Sequence, residues 1–170
     1  MKQSQPVNHS LRSLGANLAI SASVFISRLD LLPGNISPLG SFGFFGSNPW
    51  FFALNILAFD FLVKGIYPGF WLTYLGFACY PLLGWLTRSN QGKQLVALPF
   101  ASLLFFLISN AGVWWYWHDH SWVGLLECYT LAVPFYTRTL LGDLFFGYGY
   151  LFLKNGAKSI NRQPITAASV

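Results

Sequence analysis

Leu95–Trp117 reads LVALPFASLLFFLISNAGVWWYW and contains no charged side chain. As a helix it would be about 34 Å long, enough to cross the roughly 30 Å hydrocarbon core of a bilayer. A helix that is apolar on every face is buried in a large core or in lipid. The run ends in Trp114-Trp115-Tyr116-Trp117, the aromatic belt expected where a spanning helix meets the headgroups. The rest of the 170-residue chain agrees, with 54% apolar and only 9% charged residues. Soluble domains carry about 25% charged residues, so this chain has too few to cover a water-facing surface. The expected class is an all-α integral membrane protein. Its net charge of +5 is scattered around the apolar runs, where it sets orientation, and no nucleic-acid partner is expected.

Working outward, Leu11–Leu29 is a first apolar run, broken by Asn17, Ser21 and Ser23 and without a clear cleavage site for a signal peptide. Gly15, Ala19 and Ser23 share one helical face, a stripe on which another helix could dock closely. Ile36–Ser47 has a glycine at every third position from Gly40 to Gly46. It is too short to span as a straight helix. Trp50–Val63 is also short, whereas Pro68–Leu86 is full length. After Trp117, Leu125–Tyr136 reads as an interfacial helix stopped by Pro134, and Thr139–Leu153 as the last span.

Basic residues cluster at Lys2/Arg12, Arg88/Lys93 and Lys154/Lys158/Arg162. Placing all three groups in the cytoplasm gives a six-helix bundle with short second and third helices, the alternative being four spanning helices plus a re-entrant hairpin. Residues 1–10 form a cytoplasmic tail, 11–154 one transmembrane helical domain and 155–170 a polar cytoplasmic tail. All five acidic residues then lie toward the outer side.

Asp60 (LAFDFLV) and Asp143 (LLGDLFF) sit inside apolar runs. Ionisable groups at membrane depth face a bundle interior or a wet cavity, so both are candidate binding residues, with Arg28 or Arg138 as partners. A buried ion pair that fixes helix register is the structural alternative. Asn110 could bond a ligand or a neighbouring helix. His118-Asp119-His120 is explained as a polar loop leaving the aromatic belt, and no metal is expected. Cys79 and Cys128 lie in separate apolar runs without metal or redox spacing. No nucleophile elbow, zinc-protease, phosphate-loop or dinucleotide-binding motif occurs, so neither an enzyme nor a cofactor is expected.

Two stretches, RLDLLPGNISPLGSFGFFG (28–46) and Ser109–Phe146 with SN-GVW, GLLECY, PF and TLLGDLFF, resemble an uncharacterised family of small bacterial inner-membrane proteins assigned to transport. Asn35, Pro38, Gly40, Phe45, Gly46, Asp60, Ser109, Asn110, Trp114, Cys128, Tyr129, Pro134, Thr139, Gly142 and Asp143 fit its pattern. Arg138 departs from it, standing where the family often has Asn. In size and layout the family is similar to the substrate-binding S components of energy-coupling-factor transporters. That resemblance implies a subunit of the bacterial inner membrane, both termini cytoplasmic, which captures a vitamin-like or metal-related solute from outside. Its first helix, with Gly15, Ala19 and Ser23, would dock to a transmembrane coupling subunit driven by ATPases.

The expected function is thus binding of a small solute for uptake. Asp60, Asn110, Arg138 and Asp143 would serve as polar anchors, Trp114, Trp117 and Tyr129 as stacking surface, and Asn35 as part of a lid formed by the 29–38 loop. The competing class is a non-transporting membrane scaffold or assembly factor with structural buried charges. A ligand-sized pocket walled by Asp60 and Asp143 favours binding, and a solid bundle with those carboxylates paired to arginines favours the scaffold.

Overall fold

In the computed structural model, which describes residues 17–18, 21–22, 25–26, 36–46 and 48–160, the chain is all-α, with no strand among the described residues. The stripe residues Gly15, Ala19 and Ser23, and Asn35 with the rest of the loop through residue 35, lie outside the described residues. Residues 17–18, 21–22 and 25–26 are helical, and from residue 36 onward the described residues form five helices in order: α1 (Leu39–Phe45), α2 (Pro49–Phe59, continued by a π-helical turn Asp60–Lys64), α3 (Phe70–Thr87), α4 (Gln91–Trp117) and α5 (Trp122–Ile160).

Short polar residues start α2, α4 and α5. The Asn48 side chain accepts from Phe51 N at 3.1 Å with Pro49 in the first helical position, and Asn90 accepts from Lys93 N at 3.1 Å. Each satisfies an N-terminal amide that has no partner inside its own helix. Ser121 does the same for Gly124 N at the head of α5. After the π turn the chain takes a left-handed conformation at Gly65 and again at Gly69, with φ of 76° and 82°. These glycines let a short connection reverse the chain between α2 and α3.

Pro134 does not stop a helix, contrary to the sequence expectation, and α5 runs unbroken through it. The physical reason is the surrounding backbone. Proline removes one i→i−4 bond, but ending the helix there would leave several amides and carbonyls unpaired. Thr137 and Thr139 hydroxyls also donate to the carbonyls of Val133 and Phe135 at 3.0 and 3.1 Å. The two expected segments, 125–136 and 139–153, are therefore parts of one 39-residue helix, about 58 Å long.

α3 and α4 form an antiparallel hairpin with the most extensive interface, and α5 packs against α4. The seven-residue α1 is wedged into this frame against α3 and α5. Glycines make room for it. A Cβ on Gly84 of α3 would overlap the carbonyl of Phe44, and one on Gly142 of α5 would lie 2.9 Å from Ser37 N. A Cβ on Gly147 would overlap Leu98 and come within 3.1 Å of Ser41 Oγ. Leu39, Phe44, Phe52, Ile56, Phe77, Tyr80, Leu98 and Ala101 form the core around the wedge. Outward-facing apolar side chains are abundant, including Trp50 (78% exposed), Val96 (71%) and Phe145 (75%). Among the described helices α4 alone is long and apolar enough, by length and composition, to cross a membrane.

Candidate functional site

The centre of the bundle holds a carboxyl group. Asp143 on α5 is 1% exposed and faces Tyr80 of α3, also 1% exposed, whose hydroxyl donates to Asp143 Oδ2 at 2.5 Å. Ser41 Oγ of α1 donates to the Asp143 main-chain carbonyl at 2.9 Å. Asp143 Oδ1 lies where a Cβ on Gly40 would sit, and the Tyr80 ring edge is 2.5 Å from the same point. Glycine at position 40 is thus required for the short helix to close over the carboxyl. Ser102 of α4, fully buried, approaches both groups but makes no hydrogen bond of ordinary geometry. The groups around this carboxyl are hydroxyls, and among the described residues none is a cation.

Above this cluster α4 and α5 part to form a cleft of about 210 Å³, lined by Phe105, Phe106, Ser109, Asn110, Ala132, Phe135, Tyr136 and Thr139. On each helix the lining repeats at a spacing of four, which puts those residues on one face. The cleft starts one turn from Asp143, since Thr139 precedes it by four residues. Phe105 and Tyr136 connect the two regions. The Phe105 ring centroid is 6.0 Å from that of Tyr80, and Tyr136 lies within electrostatic reach of both Tyr80 and Asp143. Phe106 stacks on Tyr136 at 4.6 Å and meets Tyr129 edge-on at 5.5 Å.

The polar groups of the cleft have a definite polarity. Ser109 Oγ donates to Phe105 O (2.7 Å), Asn110 Nδ2 to Phe106 O (2.8 Å) and Thr139 Oγ1 to Phe135 O (3.1 Å). The two hydroxyl protons and one of the two Asn110 amide protons are directed into their own helices, which leaves the lone pairs of Ser109 and Thr139 and the Asn110 carbonyl oxygen as acceptors, beside the second Asn110 N–H and the Tyr136 hydroxyl as donors. Among the described residues no charged side chain lines the cleft.

The residues expected from sequence to form one site are dispersed. Asn110 lines the cleft, whereas Asp143 lies beneath it and does not wall it. Asp60 is buried on the π turn, where Tyr74 of α3 donates to Oδ2 at 3.0 Å. Tyr129 spans from α5 to the Leu107 carbonyl of α4 at 2.7 Å, clamping the cleft's upper end. Tyr129→Phe is expected to cost about 1 kcal/mol, measured as a lower melting temperature in detergent. Arg138 is exposed on α5. Trp114 donates from Nε1 to Asp119 O at 3.1 Å, and Trp117 is exposed at the end of α4. His120 stacks on Trp115 at 4.6 Å, so the HDH loop is tied to the aromatic belt. No group of three or more metal-binding side chains comes together among the described residues. Cys128 points its Sγ at Asn110 O, 3.6 Å away, and Cys79 at Leu75 O.

Sequence reasoning missed Tyr80, Phe105, Phe106 and Tyr136. A buried carboxyl needs a donor, and tyrosines inside apolar runs were the available ones. That signal was present in LGFACYPLL.

No curated protein and no solved structure matches the chain. Residues 9–159, nearly the whole length, match a family whose description is "Family of unknown function (DUF6580)". The chain therefore belongs to the DUF6580 family.

Proposed function

We propose that the chain is a multi-pass membrane protein that binds a small uncharged solute in the α4–α5 cleft and serves its uptake. The observation that carries this reading is the cleft's chemistry, namely aromatic walls with neutral polar groups and no charged side chain among the described residues. Such a surface favours a flat molecule that presents both hydrogen-bond donors and acceptors along one edge and stacks against Phe106 or Tyr136. A charged solute would lose its hydration there without gaining a counter-ion. Membrane placement is supported by the exposed apolar side chains on every long helix and by the length of α4. The cleft then lies about 10–18 Å inside the α4–α5 turn, on the side away from Arg88 and Lys93, with both termini on the basic side. Delivery through a coupling subunit is the mechanism that the sequence resemblance implies.

Native mass spectrometry of protein purified from its own membranes tests the reading by detecting a co-purified small molecule. Asn110→Ala is expected to weaken its retention about tenfold, the equivalent of one hydrogen bond of ~1.4 kcal/mol. Ser109→Phe, which fills the cleft, is expected to abolish it. If Ser109→Phe retains the same molecule at the same occupancy, the solute binds elsewhere and the assignment fails.

A further inference from the structure

A second cleft lies at the opposite end of the bundle, where α3 turns into α4 and α5 passes beside them. It is larger, about 350 Å³, and its polar lining consists of Arg88, Gln94, Lys154 and Tyr150, with Trp85 on the wall and Gly84 at the base. Among the described residues no acidic side chain lines it. The two cations are directed onto aromatic rings, Arg88 over Trp85 at 5.9 Å and Lys154 over Tyr150 at 5.6 Å. Among the described residues no carboxylate pairs with either of them.

Gln94 is the second, independent observation. It is 4% exposed, and its side-chain Oε1 is buried without a hydrogen-bond partner. Buried amides are almost always satisfied. One left open at the wall of a cleft between two cations marks a position where a ligand's polar group completes the bonding. The first turn of α4 fixes it there, because Gln94 N bonds to Asn90 O at 3.1 Å. Gln91 further ties this turn to α5 through Asn155 at 2.8 Å.

We propose that this cleft binds a phosphate ester carrying a neighbouring hydroxyl. The phosphate would lie between Arg88 and Lys154, and the hydroxyl would donate to Gln94 Oε1. Arg and Lys are the usual partners of phosphate oxygens. Tryptophan and tyrosine beside them suit the headgroup level of a bilayer, and basic pockets between membrane helices recognise anionic headgroups. The same chemistry is offered by a glycerol-based anionic phospholipid and by a soluble glycerol phosphate. This site is separate from the α4–α5 cleft, so either assignment can fail alone.

The full-length protein is reconstituted in nanodiscs of phosphatidylcholine with phosphatidylglycerol, released into detergent, and its retained lipids are counted by native mass spectrometry. In parallel, sn-glycerol 3-phosphate is titrated by calorimetry into detergent-solubilised protein. Retained phosphatidylglycerol with no calorimetric binding identifies the lipid as the source, and calorimetric binding without lipid retention identifies the soluble ester. In either case the double substitution Arg88→Ala, Lys154→Ala is expected to weaken binding about tenfold or more. Arg88→Lys with Lys154→Arg, which keeps both charges, is expected to retain most of it. Both side chains are at least partly exposed, so thermal unfolding of these variants should match the parent protein. Binding of neither probe, or equal binding by the Ala pair, overturns the proposal.

Discussion

Gly84→Ala is expected to cost about 3 kcal/mol, at the upper end for overpacking, and to lower the melting temperature in detergent by roughly 10 °C. The contact involved is with backbone. A methyl group at this position would overlap the Phe44 carbonyl, with Phe44 Cα 3.1 Å away. A side chain could rotate aside, but Phe44 belongs to α1, a helix held on several sides. It is fixed by the Ser41–Asp143 hydrogen bond and by the close approaches at Gly142 and Gly147. Relief would require the wedge to back out, which would uncover the Asp143 carboxyl and break core contacts of Leu39 and Phe44. Gly149→Ala is the control, because a Cβ there meets nothing within 4 Å. At an open helical site alanine is favoured over glycine by roughly 0.5–1 kcal/mol, so this variant should be as stable as the parent or slightly more so. If both variants melt like the parent protein, α1 does not occupy the wedge position.

The wedge also shows which parts of the fold could be read in the sequence. The helical class followed from composition and from uninterrupted apolar runs of helical length. The three-residue spacing of Gly40, Gly43 and Gly46 marked 36–47 as unusual, but its partners could not be read. Close approach depends on which glycines of other helices face it, and Gly84, Gly142 and Gly147 are distant in sequence. Pro134 misled for a related reason. Proline's local cost is legible in sequence, whereas the backbone groups that breaking the helix would strand belong to the three-dimensional surroundings. Asn110 was legible as a rare amide in an apolar run. Its neighbours across the cleft, Tyr136 and Thr139, were not, since they depend on the register of α5 against α4. Asp60 and Asp143 stood out as acids in apolar runs and suggested arginine partners. For Asp143 the hydrogen-bond donor is instead a tyrosine of α3. Asp60 also accepts from a tyrosine of that helix, while Arg28 lies outside the described residues.

Tyr80→Phe is expected to cost about 3 kcal/mol, because it leaves a buried carboxyl oxygen without its donor. The ring stays, so core packing with Phe105 at 6.0 Å is retained, and the loss reports the hydrogen bond. Asp143→Asn should cost less, about 1 kcal/mol, since an amide oxygen in the same place still accepts from the Tyr80 hydroxyl. Combining the two removes the donor from a neutral acceptor, whose desolvation is cheaper than that of a carboxyl. The double variant should therefore fall short of the sum by about 1–2 kcal/mol, within the range measured for residues in direct contact. This cycle also separates the two roles open to Asp143. If the carboxyl holds α1, α3 and α5 together, Asp143→Asn changes melting temperature and leaves binding of the proposed solute in the α4–α5 cleft unchanged. If it contacts solute, the same substitution releases the solute at unchanged melting temperature. Burial to 1% exposure and the Ser41 bond to its carbonyl favour the first outcome. In that case the carboxyl is the fixed floor on which Phe105 and Tyr136 are set, and its influence on binding runs through the positions of those two rings.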